Sequence, residues 1–365
     1  MQLPTSDQDD LRDACRSVLA DHCTSAQLRV VTEAPAKFDG GLWKVGAELG
    51  WNALTVPEEH GGLGLGVAEA CIVAEEFGRV AQASPLGATL GAALIVAEFG
   101  PPSLCGRLLP LVAAGTAVVT WGSGQGAPPS PALRQSGEGY VLDGACAWVP
   151  DAPSATHLLV AATFEGRAVA VLVDVAAPGV QIAPMQSLDI GRRHGRVSCA
   201  DVVIAPDAVL RHGAGDALFN LAVTLQCAET VGLASTMLAM TVEYTKQRNQ
   251  FGEPIGRFQA LKHRMTDMLV QCEAARATTW EAAAVLDDDL TRGAEAASVA
   301  KSITGRAGSS VASEALQLHG GIGFTWEHDL HIFLRRAKVS ELLLGSPSWH
   351  DERLALLLGA AGADD

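Results

Sequence analysis

Between Leu11 and Leu19 the apolar residues Leu11, Ala14, Cys15, Val18 and Leu19 fall on one face of a helix. Ser6 precedes this stripe as a candidate N-cap, with acidic residues in the first turn, where the helix dipole favours anions. The same period predicts helices over 38–50 (FDGGLWKVGAELG), 67–80 (VAEACIVAEEFGRV) and 90–100 (LGAALIVAEFG). Residues 56–66, VPEEHGGLGLG, form a glycine-rich loop, and Gly100-Pro101-Pro102 punctuates the helices. These elements make residues 1–112 a helical domain.

Near residue 115 the period changes. Six short β-rich runs follow: TAVVTW, GYVLDGACAWV, THLLVAATF, RAVAVLVDV, VQIAPM and VSCADVVI, separated by glycine, proline and aspartate. That spacing predicts an antiparallel β domain, barrel or sandwich, over 113–210. The helical period then returns. Residues 216–250 suit a single helix of about thirty residues, and alanine-rich helices are predicted at 257–287 and 291–319. Their small side chains permit the close packing of a bundle. The fold class is α+β: an N-terminal helical domain, a middle antiparallel β domain, and a four-helix-type bundle over 211–365.

Composition narrows the function. With 365 residues, 48% hydrophobic and 18% charged, the chain can fill a large core in two or three domains. A net charge of −15 argues against a nucleic-acid partner and disfavours an anionic membrane surface. The eight cysteines include no CxxC pair and sit mostly in apolar runs, which suits a reducing compartment. The N-terminus lacks an apolar signal region, and no apolar run reaches the roughly 18 residues of a membrane span. A cytoplasmic protein is expected, with no membrane or nucleic-acid partner.

Two stretches carry candidate chemistry. RNQFGEPIGRFQALKHRM runs from Arg248 to Met265 and joins two helices. Arg248 stands where the helix dipole favours a cation, which alone explains an isolated arginine. Beside it, Phe251 is an apolar anchor in a glycine-rich turn, and the Gln259 amide both donates and accepts. A guanidinium beside loop amides suits a pyrophosphate. In ALQLHGGIGFTWEHDLHIFLRRAK (Ala315 to Lys338), a helix ends at His319-Gly320-Gly321. Paired glycines let backbone amides approach a ligand, although a helix C-cap explains one of them. His319 and His328 have no partner at metal-ligand spacing, so they are structural and no metal site is predicted.

Together these stretches resemble the acyl-CoA dehydrogenase family over nearly the whole chain. RNQFGEPIGRFQALKHRMTDM and QLHGGIGFTWEHD resemble its two C-terminal signatures. GWNALTVPEEHGGLGLG resembles its N-terminal glycine loop, and GYVLDGACAWVPDA is similar to the strands that support the flavin. The resemblance implies FAD bound in extended form across a subunit interface, with acyl-CoA as substrate. It implies an electron-transfer flavoprotein-like acceptor and a homo- or hetero-oligomer, dimer or tetramer. By this match Arg248, Phe251, Gln259, Gln317, Gly320 and Gly321 contact the adenine and pyrophosphate half of a flavin, the neighbour's rather than the chain's own.

The sequence also departs from the family. The reaction needs a carboxylate to take the proton at Cα while the hydride at Cβ passes to the flavin. The position expected for that glutamate is Leu344, followed by Gly345, and the alternative position in some relatives falls near Ala222. Neither side chain accepts a proton. Glu229, two turns after Ala222 on the same helical face, is the remaining candidate base, although an acid paired with a basic neighbour in the bundle is the plainer reading. Glu341 is closer to an ordinary salt-bridged side chain. In the β domain TWGSGQGAPPSPA replaces the usual acidic TEPxxGSD-like stretch; Ser123, Gly124 and Gly126 still offer amides, and Trp148 matches the aromatic of the following strand. Three activities stay open: FAD-dependent α,β-desaturation of an acyl-CoA, a half-site subunit of a heteromeric dehydrogenase, and non-desaturating chemistry on the same fold.

Overall fold

Thr5, not Ser6, opens the first helix. Its hydroxyl accepts from Gln8 N, and the Gln8 side chain accepts from Thr5 N, a reciprocal capping box that leaves Ser6 as the first helical residue. The computed structural model describes residues 5–33, 38–123 and 130–361. Helix α1 (Ser6–His22) buries Cys15 and Leu19 as the stripe requires. A short α2 (Ser25–Glu33) follows, and α3 (Gly40–Glu48) is capped by Asp39. Helices α4 (Val67–Arg79), α5 (Leu86–Phe99) and α6 (Pro102–Ala113) complete the N-terminal part.

The middle region is one seven-stranded sheet: β1 (Val119–Gly122), β2 (Ala132–Ser136), β3 (Gly139–Pro150), β4 (His157–Phe164), β5 (Arg167–Asp174), β6 (Val180–Met185) and β7 (His194–Ile204). It is mixed rather than wholly antiparallel, because β4 runs parallel to both β1 and β2. The β2–β3 hairpin lies between β1 and β4 in the chain, and so supplies the long crossover that a parallel pair needs. The register of β3 against β7 slips between Cys146 and Val149, a bulge that sets Trp148 apart from the regular ladder.

The C-terminal part holds α7 (Ala214–Gln247), α8 (Gln259–Asp288), α9 (Ala294–His319), α10 (Leu330–Leu342) and α11 (Pro347–Ala361). Helix α7 is long and apolar enough to cross a membrane, which corrects the expectation that no run is. Yet 94% of its most apolar window is buried inside the protein, so it is the core helix of the bundle. One core cluster joins α1, the N-terminal helices, the inner face of the sheet and the first half of α7. A second fills the bundle around Leu233, Met237, Met268, Val311 and Phe333. All eight cysteines are free thiols, seven of them buried.

Helices α4 and α7 meet backbone to backbone. A Cβ at Gly78 would fall on the carbonyl oxygen of Glu229, and one at Gly232 on that of Glu75, with Arg79 N only 2.8 Å away. Both glycines have negative φ, so space rather than conformation requires them. The N-terminus of α4 is capped from the bundle: Asp287 on α8 accepts from Val67 N at 2.5 Å and Ala68 N at 3.0 Å. We expect Gly232→Ala to cost about 1–3 kcal/mol, the usual range for overpacking. Denaturant unfolding followed by far-ultraviolet circular dichroism reads this, and an unchanged midpoint would show that the helices part easily.

Candidate active site

A cavity of about 790 Å³ opens where α4, α5, the sheet and the bundle meet. Val73, Phe77, Ala222, Leu225, Leu342 and Leu344 give it an apolar wall, and Asp151, Arg192, His194, Gln226 and Glu229 a polar one. Of the seven described non-glycine residues with positive φ, Trp148 (57°), Asp151 (50°) and Leu344 (60°) line it. Strained backbone of this kind gathers at functional sites.

The polar wall is built on a buried ion cluster. Arg336 is fully buried; its Nε donates to Asp189 Oδ2 at 2.8 Å, and its Nη1 stands 3.5 Å from Glu229 Oε1. Arg192 Nη2 donates to Glu229 Oε2. Burial alone pushes the Asp189 carboxyl up. The guanidiniums of Arg336 and Arg192, with hydrogen bonds from both residues, overcome this and hold it at about 2. Asp151 is pushed up to about 6, chiefly by burial, against the pull of the two arginines. His194 is pushed down to about 3 by burial and the nearby Arg192, so its ring is neutral at pH 7. Three carboxyls therefore face two guanidiniums, and Asp151 is the one without a close cationic partner among the described residues.

All the positions considered for the base converge on this cavity: Ala222, Glu229, Glu341 and Leu344 line it together. The structure gives each a different setting. Glu229 is held between Arg192 and Arg336, which is the paired-acid reading. Glu341 accepts from Ser309 Oγ and lies 3.6 Å from Lys338. Leu344 is fixed by its backbone, since His350 Nε2 bonds its carbonyl oxygen at 2.8 Å. Beneath the same segment, buried Lys301 donates to Gln226 Oε1 at 2.5 Å and to the Ser340 carbonyl. Burial pushes the Lys301 ammonium down to about 8. On the sheet side Ser123 and Trp148 line the cavity, with Trp148 edge-on to His194 at 5.8 Å. Gly124 and Gly126 lie outside the described residues.

The second group lies elsewhere. Arg248 is the C-cap of α7, nineteen residues beyond Glu229, or roughly 28 Å along the helix. Tyr244 stacks on His319 at 4.5 Å, which brings the ends of α7 and α9 side by side. Arg248, Gln259, Gln317, Gly320 and Gly321 are thus exposed at one end of the bundle. Phe251 does not anchor its turn. It sits at φ 55° in a small hairpin (Asn249–Gln250 with Glu253–Pro254) and is 92% exposed. His319 bonds the Ala315 carbonyl and His328 accepts from Leu330 N, so both serve local structure.

Sequence reasoning missed Asp151, Asp189, Arg192, His194, Lys301 and Arg336. One signal was available: SLDIGRRHGR is a dense run of charge in a chain with little of it. Arg336 and Lys301 gave none, since a cation on a helix reads as solvent-facing until its neighbours are known.

Residues 216–355 match the family described as acyl-CoA dehydrogenase, C-terminal domain, and residues 5–116 match its N-terminal domain. Acyl-CoA dehydrogenase IpdE2 of Mycolicibacterium smegmatis is 33% identical over 345 residues, 94% of this chain and 96% of that protein. A solved structure of a variant of the Tcur3481-Tcur3483 steroid ACAD superposes with TM-score 0.92 at 33% identity, covering 98% of this chain and 99% of that one. The ChsE4-ChsE5 complex from Mycobacterium tuberculosis superposes with TM-score 0.93 at 27% identity, again covering 98% and 99%.

Proposed function

The chain belongs to the acyl-CoA dehydrogenase family, and on that premise we propose that it is an FAD-dependent subunit of an acyl-CoA α,β-dehydrogenase whose full activity needs a second chain to supply the proton-accepting carboxylate. One observation carries this reading. The cavity is formed, Leu344 lines it where the family resemblance places the base, and Glu229 is held by two guanidiniums. To take a proton, Glu229 would have to give up both ion pairs and leave two buried guanidiniums without it. Two similar structures, the Tcur3481-Tcur3483 steroid ACAD and the ChsE4-ChsE5 complex, are each named for a pair of chains, which supports a heteromer, and the first supports a bulky acyl group. The partners in this reading are the acyl-CoA and an electron-transfer flavoprotein-like acceptor.

The residues present fit FAD. The end of the bundle offers Arg248, which pairs with no described acid, beside the exposed amides of Gln259 and Gln317. Gly320, at φ 63°, holds a conformation suited to glycine with open space around it. That donor set suits a pyrophosphate. Near the cavity, Ser123 and Trp148 are the residues assigned to the ring half. When bound, FAD supplies the hydride acceptor. The residues lining the cavity would hold the ring half and shut the acyl group away from water, while the Arg248 end would hold the adenine and pyrophosphate half of a neighbour's flavin.

Arg248→Ala should weaken FAD by about ten- to hundredfold, the loss of one charge-assisted contact of about 1.5–3 kcal/mol. Flavin fluorescence on dilution measures this; unchanged retention with an unchanged fold would leave Arg248 as a helix cap. A second reading keeps the base in this chain, because Glu229 Oε1 accepts no hydrogen bond among the described residues and meets Arg336 Nη1 only at 3.5 Å. In that case Glu229→Gln abolishes whatever turnover the lone chain shows.

A further inference from the structure

The cavity holds more unanswered hydrogen-bonding capacity than a hydrocarbon acyl group can meet. Among the described residues, Asp151 Oδ1 and both ring nitrogens of His194 are buried without a hydrogen-bond partner, and both residues line the cavity. Asp151 and His194 are each 2% exposed. A neutral imidazole carries one donor and one acceptor. The carboxyl beside it, held near its own midpoint at about 6 by burial, accepts when ionised and donates when protonated. An alkyl chain in this space would leave these atoms dry and unpaired. Sites built in this way reject an analogue that lacks the matching hydroxyl or carbonyl far more strongly than an apolar pocket rejects a missing methylene.

We propose that the acyl group accepted here carries a hydroxyl or ketone oxygen away from the thioester, and that Asp151 and His194 bind it and set the specificity. This rests on the acyl-thioester reading above and adds the chemical class of the acyl part. The alternative source of the same chemistry is the polar edge of the flavin ring, and the experiment separates the two.

The test uses the full chain with its flavin and any partner that copurifies. Calorimetric titration compares 3-cyclohexylpropanoyl-CoA with its 3-hydroxy, 4-hydroxy and 4-oxo ring derivatives. At least one oxygenated thioester should bind about tenfold or more tightly than the hydrocarbon one. Asp151→Gly, in which glycine accepts the positive φ, should shrink that ratio to about threefold or less. His194→Phe, which keeps a ring against Trp148, should do the same, and decides alone if the aspartate variant does not fold. A hydrocarbon thioester that binds as tightly as its oxygenated partners overturns the proposal. So does a preference that survives both variants. Loss of flavin in the variants with the preference intact also overturns it, and assigns these atoms to the flavin edge. Failure of every thioester to bind overturns the acyl-thioester reading itself, and this inference with it.

Discussion

The chain alone, supplied with FAD, a panel of acyl-CoAs and an artificial electron acceptor, should turn over about 10²–10⁴-fold more slowly than the same chain with a partner that carries the base. The factor is that of general-base assistance. Acidity at Cα is low, so without a carboxylate in reach the proton passes only to water or to an unsuited group. Leu344 cannot take it, and Glu229 would have to break its pairs with Arg192 and Arg336. Leu344→Glu should recover part of the rate. The backbone there is already at φ 60° with a Cβ in place, so the substitution adds no new backbone strain. Turnover by the lone chain at an ordinary ~1–10³ s⁻¹ would refute the two-chain reading and make Glu229→Gln the next variant.

Arg336→Met should destabilise the protein by about 3–5 kcal/mol, the cost of leaving buried charge without its partner. Arg336 has no exposed surface and joins Asp189 on the sheet side to Glu229 on α7. Methionine fills similar space but leaves Asp189 facing only Arg192 and backbone amides. Adding Asp189→Asn to Arg336→Met should return much of the loss, because it removes the stranded charge. The pair also sets an acid limit. The folded carboxyl of Asp189 lies at about 2, below its ordinary 3.8. Its contribution is therefore complete above about pH 4 and is lost as pH falls through about 2. In Arg336→Met that window moves up in pH. Denaturant midpoints measured from pH 2 to pH 7 decide it, and a wild-type acid limb matched by the variant would remove Asp189 from the account.

The sequence made most of the architecture legible because its signals are local. Helical stripes, a change of period near residue 115 and glycine punctuation need no knowledge of distant residues. Strand β2 escaped because ALRQS has no apolar alternation, and α2 because Leu28 is its one buried apolar anchor among side chains described. The parallel pairing of β4 was hidden because it depends on where the chain returns. The site divided in the same way. Arg248 and Gly320 belong to contiguous motifs and were named. Asp189, Arg192, Glu229 and Arg336 form their cluster across up to 147 residues of chain, and only one of the four was singled out. Charge pairing at that separation leaves no periodic trace.

The contact between α4 and α7 bears on how such proteins can be recombined. The glycines at 78 and 232 each make room for the other helix's backbone, and Asp287 caps α4 from across the same junction. The segment before the sheet and the segment after it therefore pack as one unit, although some hundred residues separate them along the chain. A chimaera that takes residues 1–112 from one relative and the bundle from another must match positions 78, 232 and 287 as a set. Exchange of both helical segments together keeps that junction whole, and leaves the ion pairs of Asp189 and Arg192 as the joint to be rebuilt.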